Sequence, residues 1–367
     1  MWQRDRKTTI KTMHGELAIC RPYWYCRRCG HGECPSDAKY GINNATHRMT
    51  KAVKLEAIYF AQNQGSFDRA ASVLKRVYRL EINRESIREL AETTGMAVFL
   101  CDSENAQDLL NNIHNTGVET AKADGTVYIM IDGAAVNTRI EDENGSTWRE
   151  NKTVIAFSSK DMIRRKNGGS IITHKEIAPL IGSSEEFKKH VLDVAVKAGY
   201  GRYKDTVVIA DGATWIRSLC DELFPDATQI LDLYHLKENI HTFAKHLHGH
   251  NAARAVPWVE MLIDKIEKGF SLTAILAQIP NVTALPEGVP NLRTYITNNR
   301  SKIDYPTYKR RGFFVGSGAM ESTNKTIVHQ RLKQAGMRWG VPGAQAMLTL
   351  RAKEESGRWH EVERCCA

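Results

Sequence analysis

The chain has 367 residues, with 51 Lys and Arg against 42 Asp and Glu, 13 His, 8 Cys and a net charge of +9. That length accommodates two or three domains with a sizeable core, and 42% hydrophobic content excludes a wholly disordered or collagen-like chain. No run approaches the ~20 apolar residues of a membrane span, and the opening MWQRDRKTTIK lacks a secretory apolar core, so a reducing cytoplasm is the expected setting.

The charge is unevenly placed. Residues 1–51 hold 10 basic and 4 acidic residues, residues 300–367 hold 13 and 6, and the interval between is net acidic. Basic ends suit a polyanion, most simply nucleic acid, because Lys and Arg gain affinity by displacing condensed counterions.

In chain order, the first motif is CRRC, Cys26 to Cys29, followed by Gly30. This knuckle turn aims two thiolates at one tetrahedral zinc and makes half a site, which Cys20, Cys34, His31 or His14 would complete. The alternative is reduced thiols in a small sheet, since CRPYWYC alternates like a strand. From Thr46 to Leu110 the apolar period is helical. Within it, SFDRAASVLKRVYRLEINRESIRELAETTG reads as helix, turn, helix. Ser66 caps the first helix, Ala70, Ala71 and Leu74 form its inner face, and Ser86, Ile87 and Leu90 open the second. Arg84 stands at the leading end, where a DNA-reading helix-turn-helix places basic groups; an ordinary helical hairpin has the same pattern.

The central region changes period. Apolar runs at Val127–Ile131, 151–159, Val207–Ala210 and before Asp232 predict strands buried on both faces, and FKKHVLDVAVKAG (187–199) predicts a helix between two of them. This is an α/β core with a mixed or parallel sheet covered by helices. Asp132-Gly133 and Asp211-Gly212 each end such a run, at the edge where α/β sheets gather ligands. A single Asp-Gly is more often a plain β-turn, whereas repetition at two strand ends is harder to dismiss. Helical pattern resumes to Ala277, a Pro-bearing loop covers 280–290, and Gly316-Ser317-Gly318 makes a tight turn before a helix with Glu321 in its first turn. Lys325, His329 and Lys333 would form one stripe along that helix. Two Asp and one Glu converging would offer oxygen donors to hard divalent ions, which can activate a water or a 3′-hydroxyl for in-line phosphoryl transfer.

The stretches VVIADGATWI, FPDATQILDLYH, GSGAMES and RLKQAGMRW resemble bacterial insertion-sequence transposases of the Kra and Lre groups, which are DDE enzymes with an RNase H-like core. The resemblance runs from Gly15 to Trp359 and is most specific from Gly316 onward, through SGRW. It implies Asp132, Asp211 and Glu321 as catalytic carboxylates holding Mg²⁺ or Mn²⁺. Asp232 and His235 match a D/C-x-x-H motif with a supporting role; plain helix capping by Asp232 is the alternative. Lys325, Arg331, Lys333 and Arg338 would hold the phosphate backbone beside the chemistry, with Arg84 contributing from the helix-turn-helix. Trp215 and Trp339 are either core aromatics or stacking platforms for an unpaired base. Relatives carry more sequence ahead of Gly15, with cysteines that would complete a Zn²⁺ knuckle with Cys26 and Cys29.

The implied layout is a cysteine-containing region at 1–45, a helix-turn-helix domain at 46–115, and the first part of an RNase H-like core at 120–235. A helical insertion at 236–312 and the rest of the core with a basic tail at 313–367 follow. The implied function is a DNA transposase that cleaves and joins transposon ends as a homo-oligomer, nucleoid-associated in the cytoplasm, on double-stranded DNA and without a membrane. A nuclease that cuts without joining, and a domesticated DNA-binding repressor without turnover, fit the same residues. A metabolic α/β enzyme lacks support, because no GxGxxG or GxxxxGK[ST] follows any strand.

Overall fold

The computed structural model describes residues 2–39, 48–112, 122–165, 170–249, 251–282 and 284–366. The outer limits expected for the helical domain, Thr46 and residues 113–115, lie outside the described residues, as does the expected start of the core at residue 120.

The chain begins with a long hairpin, β1 (Trp2–Thr12) and β2 (Gly15–Tyr25), onto whose end β3 (Gly32–Glu33) pairs antiparallel. The alternating CRPYWYC segment is therefore strand up to Tyr25. A short helix α1 (Ser36–Lys39) follows. The hairpin is tied to the rest through its tip, where Lys11 donates to Arg48 O and accepts from Thr50 N–H.

Three helices come next: α2 (Lys51–Asn63), α3 (Phe67–Tyr78) and α4 (Arg84–Asn112). Ser66 caps α3 by accepting the Arg69 N–H at 3.1 Å, and Ala70 and Leu74 are buried as the period requires. Arg79, in the left-handed region at φ 58°, reverses the chain. The second helix starts two residues earlier than Ser86, because Asn83 supplies the cap and accepts the Ser86 N–H at 2.7 Å. It also runs 29 residues, far beyond a short reading helix. Its middle crosses a C-terminal helix so closely that a Cβ on Gly95 would meet Ala346 O at 2.5 Å.

The core is a mixed five-stranded sheet flanked by helices. Its strands are β4 (Ala123–Asn137), β5 (Trp148–Ser158), β8 (Glu176–Leu180), β9 (Tyr203–Ala210) and β10 (Thr228–Leu231), in the order β10-β9-β4-β5-β8. The pairs β4–β5 and β5–β8 are antiparallel, whereas β4–β9 and β9–β10 are parallel. A separate small hairpin, β6 (Met162–Arg164) with β7 (Ser170–Ile172), lies between β5 and β8. All four expected strands are present, but β4 does not stop at Asp132. It continues against β5 to Asn137↔Trp148, while its pairing with β9 stops at Ile131↔Ala210.

Along β4, Val127, Ile129 and Ile131 enter one core with Phe187, Val191 and Ala195 of α5 (Ser184–Lys197), while Tyr128 and Met130 enter the other. Such two-sided burial is what uninterrupted apolar runs encode. The helix α6 (Thr214–Leu223) joins β9 to β10.

From Leu233 the chain is helical: α7 (Leu233–His248), α8 (Ala252–Glu267), α9 (Leu272–Leu276), α10 (Leu292–Asn298) and α11 (Tyr305–Arg310). This bundle is fixed to the sheet by Tyr305 Oη donating to Leu231 O at 3.0 Å and Tyr295 Oη donating to Asp211 O at 2.7 Å.

The C-terminal part has α12 (Gly318–Asn324), a π-helical turn at Lys325–His329, α13 (Gln330–Leu332), α14 (Val341–Glu355) and α15 (Trp359–Cys365). Lys325 and His329 fall in the π turn and Lys333 just past the end of α13 at Leu332, all three exposed. Among the described residues no helix is long and apolar enough to cross a membrane.

Candidate functional site

Strand register decides the geometry. The last rungs on the parallel side are Ile131↔Ala210 and Ala210↔Leu231, so Asp132, Asp211 and Asp232 are the next residues on three neighbouring strands. They form a row along the carboxyl edge, where each backbone leaves the sheet.

Each acid meets a different environment. Asp232 is fully buried, caps α7 by accepting the Tyr234 N–H at 3.1 Å, and accepts the Ser317 N–H, also at 3.1 Å, and its hydroxyl. It thus brackets the end of β10, the start of α7 and the Gly316-Ser317-Gly318 turn. Gly316 lies close against the Tyr234 ring, 2.5 Å from where a Cβ would stand. Asp211 Oδ1 accepts the Ala213 N–H at 2.8 Å, and Gly212 turns the chain at φ 86°.

Asp132 is partly open, its side chain 23% exposed. Its Oδ1 accepts the Gly133 N–H at 2.8 Å and its Oδ2 accepts from Asn324 Nδ2 at 2.9 Å. Burial raises its carboxyl above the usual aspartate range, and the neighbouring Asp211 adds to this. The Gly133 N–H, His235 and Asn324 oppose it. His235 Nε2 stands 3.8 Å from Asp132 and 3.7 Å from Asp232, with Nδ1 3.2 Å from Glu238. The imidazole therefore spans two acids of the row, and Asp232 caps the helix as well.

Glu321 lies in the first turn of α12, exposed, one turn before Asn324. Its N–H donates to Ser317 O at 3.0 Å, so α12 is anchored to the row at both ends, through Ser317 on Asp232 and Asn324 on Asp132. The structure joins Asp132 with Asp211 but does not gather Glu321 with them. Among the described residues no three His, Cys, Asp or Glu side chains are placed to hold a metal ion. The two adjacent carboxylates are the hard oxygen donors that Mg²⁺ or Mn²⁺ takes, so this pair fits such an ion. Asn324 was not foreseen, and an amide 192 residues from its partner leaves no local signal.

The basic candidates separate. Lys325, Lys333 and Arg338 are exposed, and Lys333 Nζ lies 5.7 Å from the Trp148 ring centre. Arg84 is exposed but engaged, with Nε 2.7 Å from Glu85 and Nη1 3.4 Å from Asp68. Arg331 is a correction: it is 1% exposed, donates from Nε to Ala61 O at 2.9 Å, and lies 4.6 Å from the Phe67 ring centre and 4.8 Å from that of Trp339. A guanidinium enclosed in this way cannot lie along an exposed DNA backbone. Trp339 is likewise core, at 5% exposure, while half-buried Trp215 packs edge-on to Phe187.

In the N-terminal region, Gly30 N–H donates to Cys26 O at 2.9 Å and Cys26 N–H to His31 O at 2.8 Å, which closes the knuckle. Hydrogen bonds from Cys29, backbone first and thiol second, lower the Cys26 thiol pKa. All the cysteines are free.

Fold and edge together define a mixed α/β protein carrying an aspartate row at the carboxyl end of its parallel strands. The chain belongs to the uncharacterised protein family UPF0236, which it matches over residues 1–365. No curated protein matches it.

Proposed function

We propose that the protein is a DDE-type transposase with an RNase H-like core, akin to the insertion-sequence enzymes of the Kra and Lre groups. The observation that carries this reading is the pair Asp132 and Asp211, side by side where β4 and β9 end their parallel ladder. The sheet supports it as well. In chain order its strands are arranged 5-4-1-2-3, the first three antiparallel and the last two parallel to the first, as expected of an RNase H-like core.

In this reading Asp132, Asp211 and Glu321 hold divalent ions, which when bound supply Lewis acidity to the scissile phosphate. Water attacks the phosphorus of an end phosphodiester and the 3′ oxygen leaves as a hydroxyl. That hydroxyl then attacks a target phosphodiester, releasing the target's own 3′ oxygen. Asn324 keeps Asp132 oriented, and His235 sets the charge between Asp132 and Asp232. The pair α3–α4, with Arg84 at its leading end, and the cysteine knuckle with Zn²⁺ on Cys26 and Cys29 would read the element ends. Lys325, Lys333 and Arg338 would contact phosphates. Handling two ends calls for a homo-oligomer.

The test incubates the full chain with labelled duplexes carrying the ends of its own element and Mg²⁺ or Mn²⁺, beside Asp132→Asn and Glu321→Gln. Expected are metal-dependent nicking and joined products from the wild type and neither from the variants. Nicking without joining would establish the nuclease alternative, and cleavage surviving both substitutions would overturn the site. Tight end binding with no cleavage by any form would favour a repressor.

A further inference from the structure

A cavity of about 490 Å³ opens between the starts of α3, α4 and α14, within the size range of small-ligand sites. It lies beyond the carboxylate edge. Arg139 and Trp339 of its lining meet at the far end of β4, where Arg139 N–H donates to Trp339 O at 2.8 Å. Seven residues of extended chain separate Asp132 from Arg139, on the order of 20 Å.

Five arginines line this cavity: Arg84, Arg88, Arg139, Arg331 and Arg338. Its three acids are already engaged, Asp68 and Glu85 by Arg84 and Glu92 by Arg88 at 3.3 Å. The lining keeps a net positive charge, to which three helix N-termini add their dipoles. One of them, α14, has no side-chain cap.

The decisive group is Arg331. It is 1% exposed, yet its Nη2 has no hydrogen-bond partner, and among the described residues no carboxylate pairs with it. The nearby guanidinium of Arg351 disfavours its charge further, and Arg351 itself is spent on the carbonyls of Thr326 and Gln62. A buried cation without a counter-charge is costly, and an anion from outside would complete it. Guanidinium forks match phosphate oxygens well. The cavity is larger than a phosphate, and its wall also includes the apolar Phe67, Met337 and Pro342, beside Ser66, Gly340, Gly343 and the buried Trp339. An apolar wall facing a cationic one suits a nucleobase beside the phosphate.

We propose that this cavity binds a nucleotide by its phosphate, with Arg331 as the buried contact and Arg139 and Arg338 at the mouth. The proposal rests on the transposase reading only for the carrier: a DNA strand end is the source favoured, and a free mononucleotide has the same chemistry.

The test is titration calorimetry of the full chain with inorganic phosphate, a deoxynucleoside 5′-monophosphate, a short 5′-phosphorylated single strand and the same sequence as blunt duplex. The variants are Arg331→Met, which keeps the buried volume, and Arg139→Ala/Arg338→Ala, which changes only exposed groups and guards against misfolding of the first. Expected is mononucleotide binding that weakens at least about tenfold in each variant. Tighter binding of the strand than of the mononucleotide identifies a strand end, and equal binding identifies a free nucleotide. No heat with any ligand, or equal affinity in wild type and both variants, overturns the proposal. Asp132→Asn separates the two claims, because it should abolish cleavage and leave nucleotide binding intact.

Discussion

Asp232 and Arg331 are both charged and both removed from water, but the chain treats them differently. Asp232, at 0% exposure, receives the Tyr234 N–H, the Ser317 N–H and the Ser317 hydroxyl, so its charge is met within the fold. Arg331, at 1%, donates to one carbonyl and to the Met337 sulfur, lies against two aromatic rings and keeps an unpartnered Nη2. Carboxylates that accept several N–H and O–H donors hold structure together. A cation left incomplete costs stability, which is the mark of a group retained for binding. The row repeats the contrast on a smaller scale, since Asp132, two strands from Asp232, has one open side and a raised pKa.

Five substitutions would break or sharpen this contrast. The largest effect is expected on turnover: Asp132→Asn or Asp211→Asn should lower cleavage at least about thousandfold, because a metal-holding carboxylate acts only through the charge it supplies. Retained cleavage in either would remove that residue from the site. Next, Asp232→Asn should destabilise the fold by about 3 kcal/mol in urea unfolding, since the amide meets the donors of Ser317 with weaker, partly mismatched hydrogen bonds. A change near zero would mean that the bracket is not structural.

Arg331→Met, by contrast, should alter stability by no more than about 1 kcal/mol, because the lost Ala61 contact is offset by removing an uncompensated charge. A loss as large as that of Asp232→Asn would make Arg331 a structural residue like its acidic counterpart. Smallest of all, Arg84→Ala should leave the urea-unfolding midpoint close to that of the wild type, its ion pairs being exposed.

The pH dependence of Asp132 has a definite sign. Its carboxyl is raised in the folded state, so the ionised form disfavours folding, and stability falls as pH rises through the folded pKa. Asp132→Asn should therefore stabilise the protein at neutral pH, and the advantage should vanish once acid protonates the wild-type group. An advantage independent of pH would contradict this.

The three aspartates were legible in the sequence because the apolar stretches Val127–Ile131, Val207–Ala210 and Ile230–Leu231 each run directly into Asp. Their lateral alignment was not, since register is a property of pairing. The helical stretch after His235 and the Ser66 cap were equally plain. β8 escaped notice because it is short and contains Pro179. As the edge strand it tolerates the proline, and Gln345 of α14 covers it by donating to Pro179 O at 3.0 Å. β4 reads too short because Gly133, Ala134 and Ala135 look like a turn, although β5 continues beside them. Arg331 misleads because arginine in a basic segment defaults to the surface, and only the tertiary fold places Phe67 and Trp339 around it. The sequence groups Glu321 with the two aspartates and the fold leaves its carboxylate exposed, so the question it raises is one of metal binding.

That question has a direct measurement: calorimetric titration of Mn²⁺ into the wild type, Asp132→Asn and Glu321→Gln at neutral pH. Binding by the wild type that is abolished in Asp132→Asn and weakened in Glu321→Gln is expected of a carboxylate edge built to hold divalent ions. Equal Mn²⁺ affinity in the wild type and Asp132→Asn would contradict it.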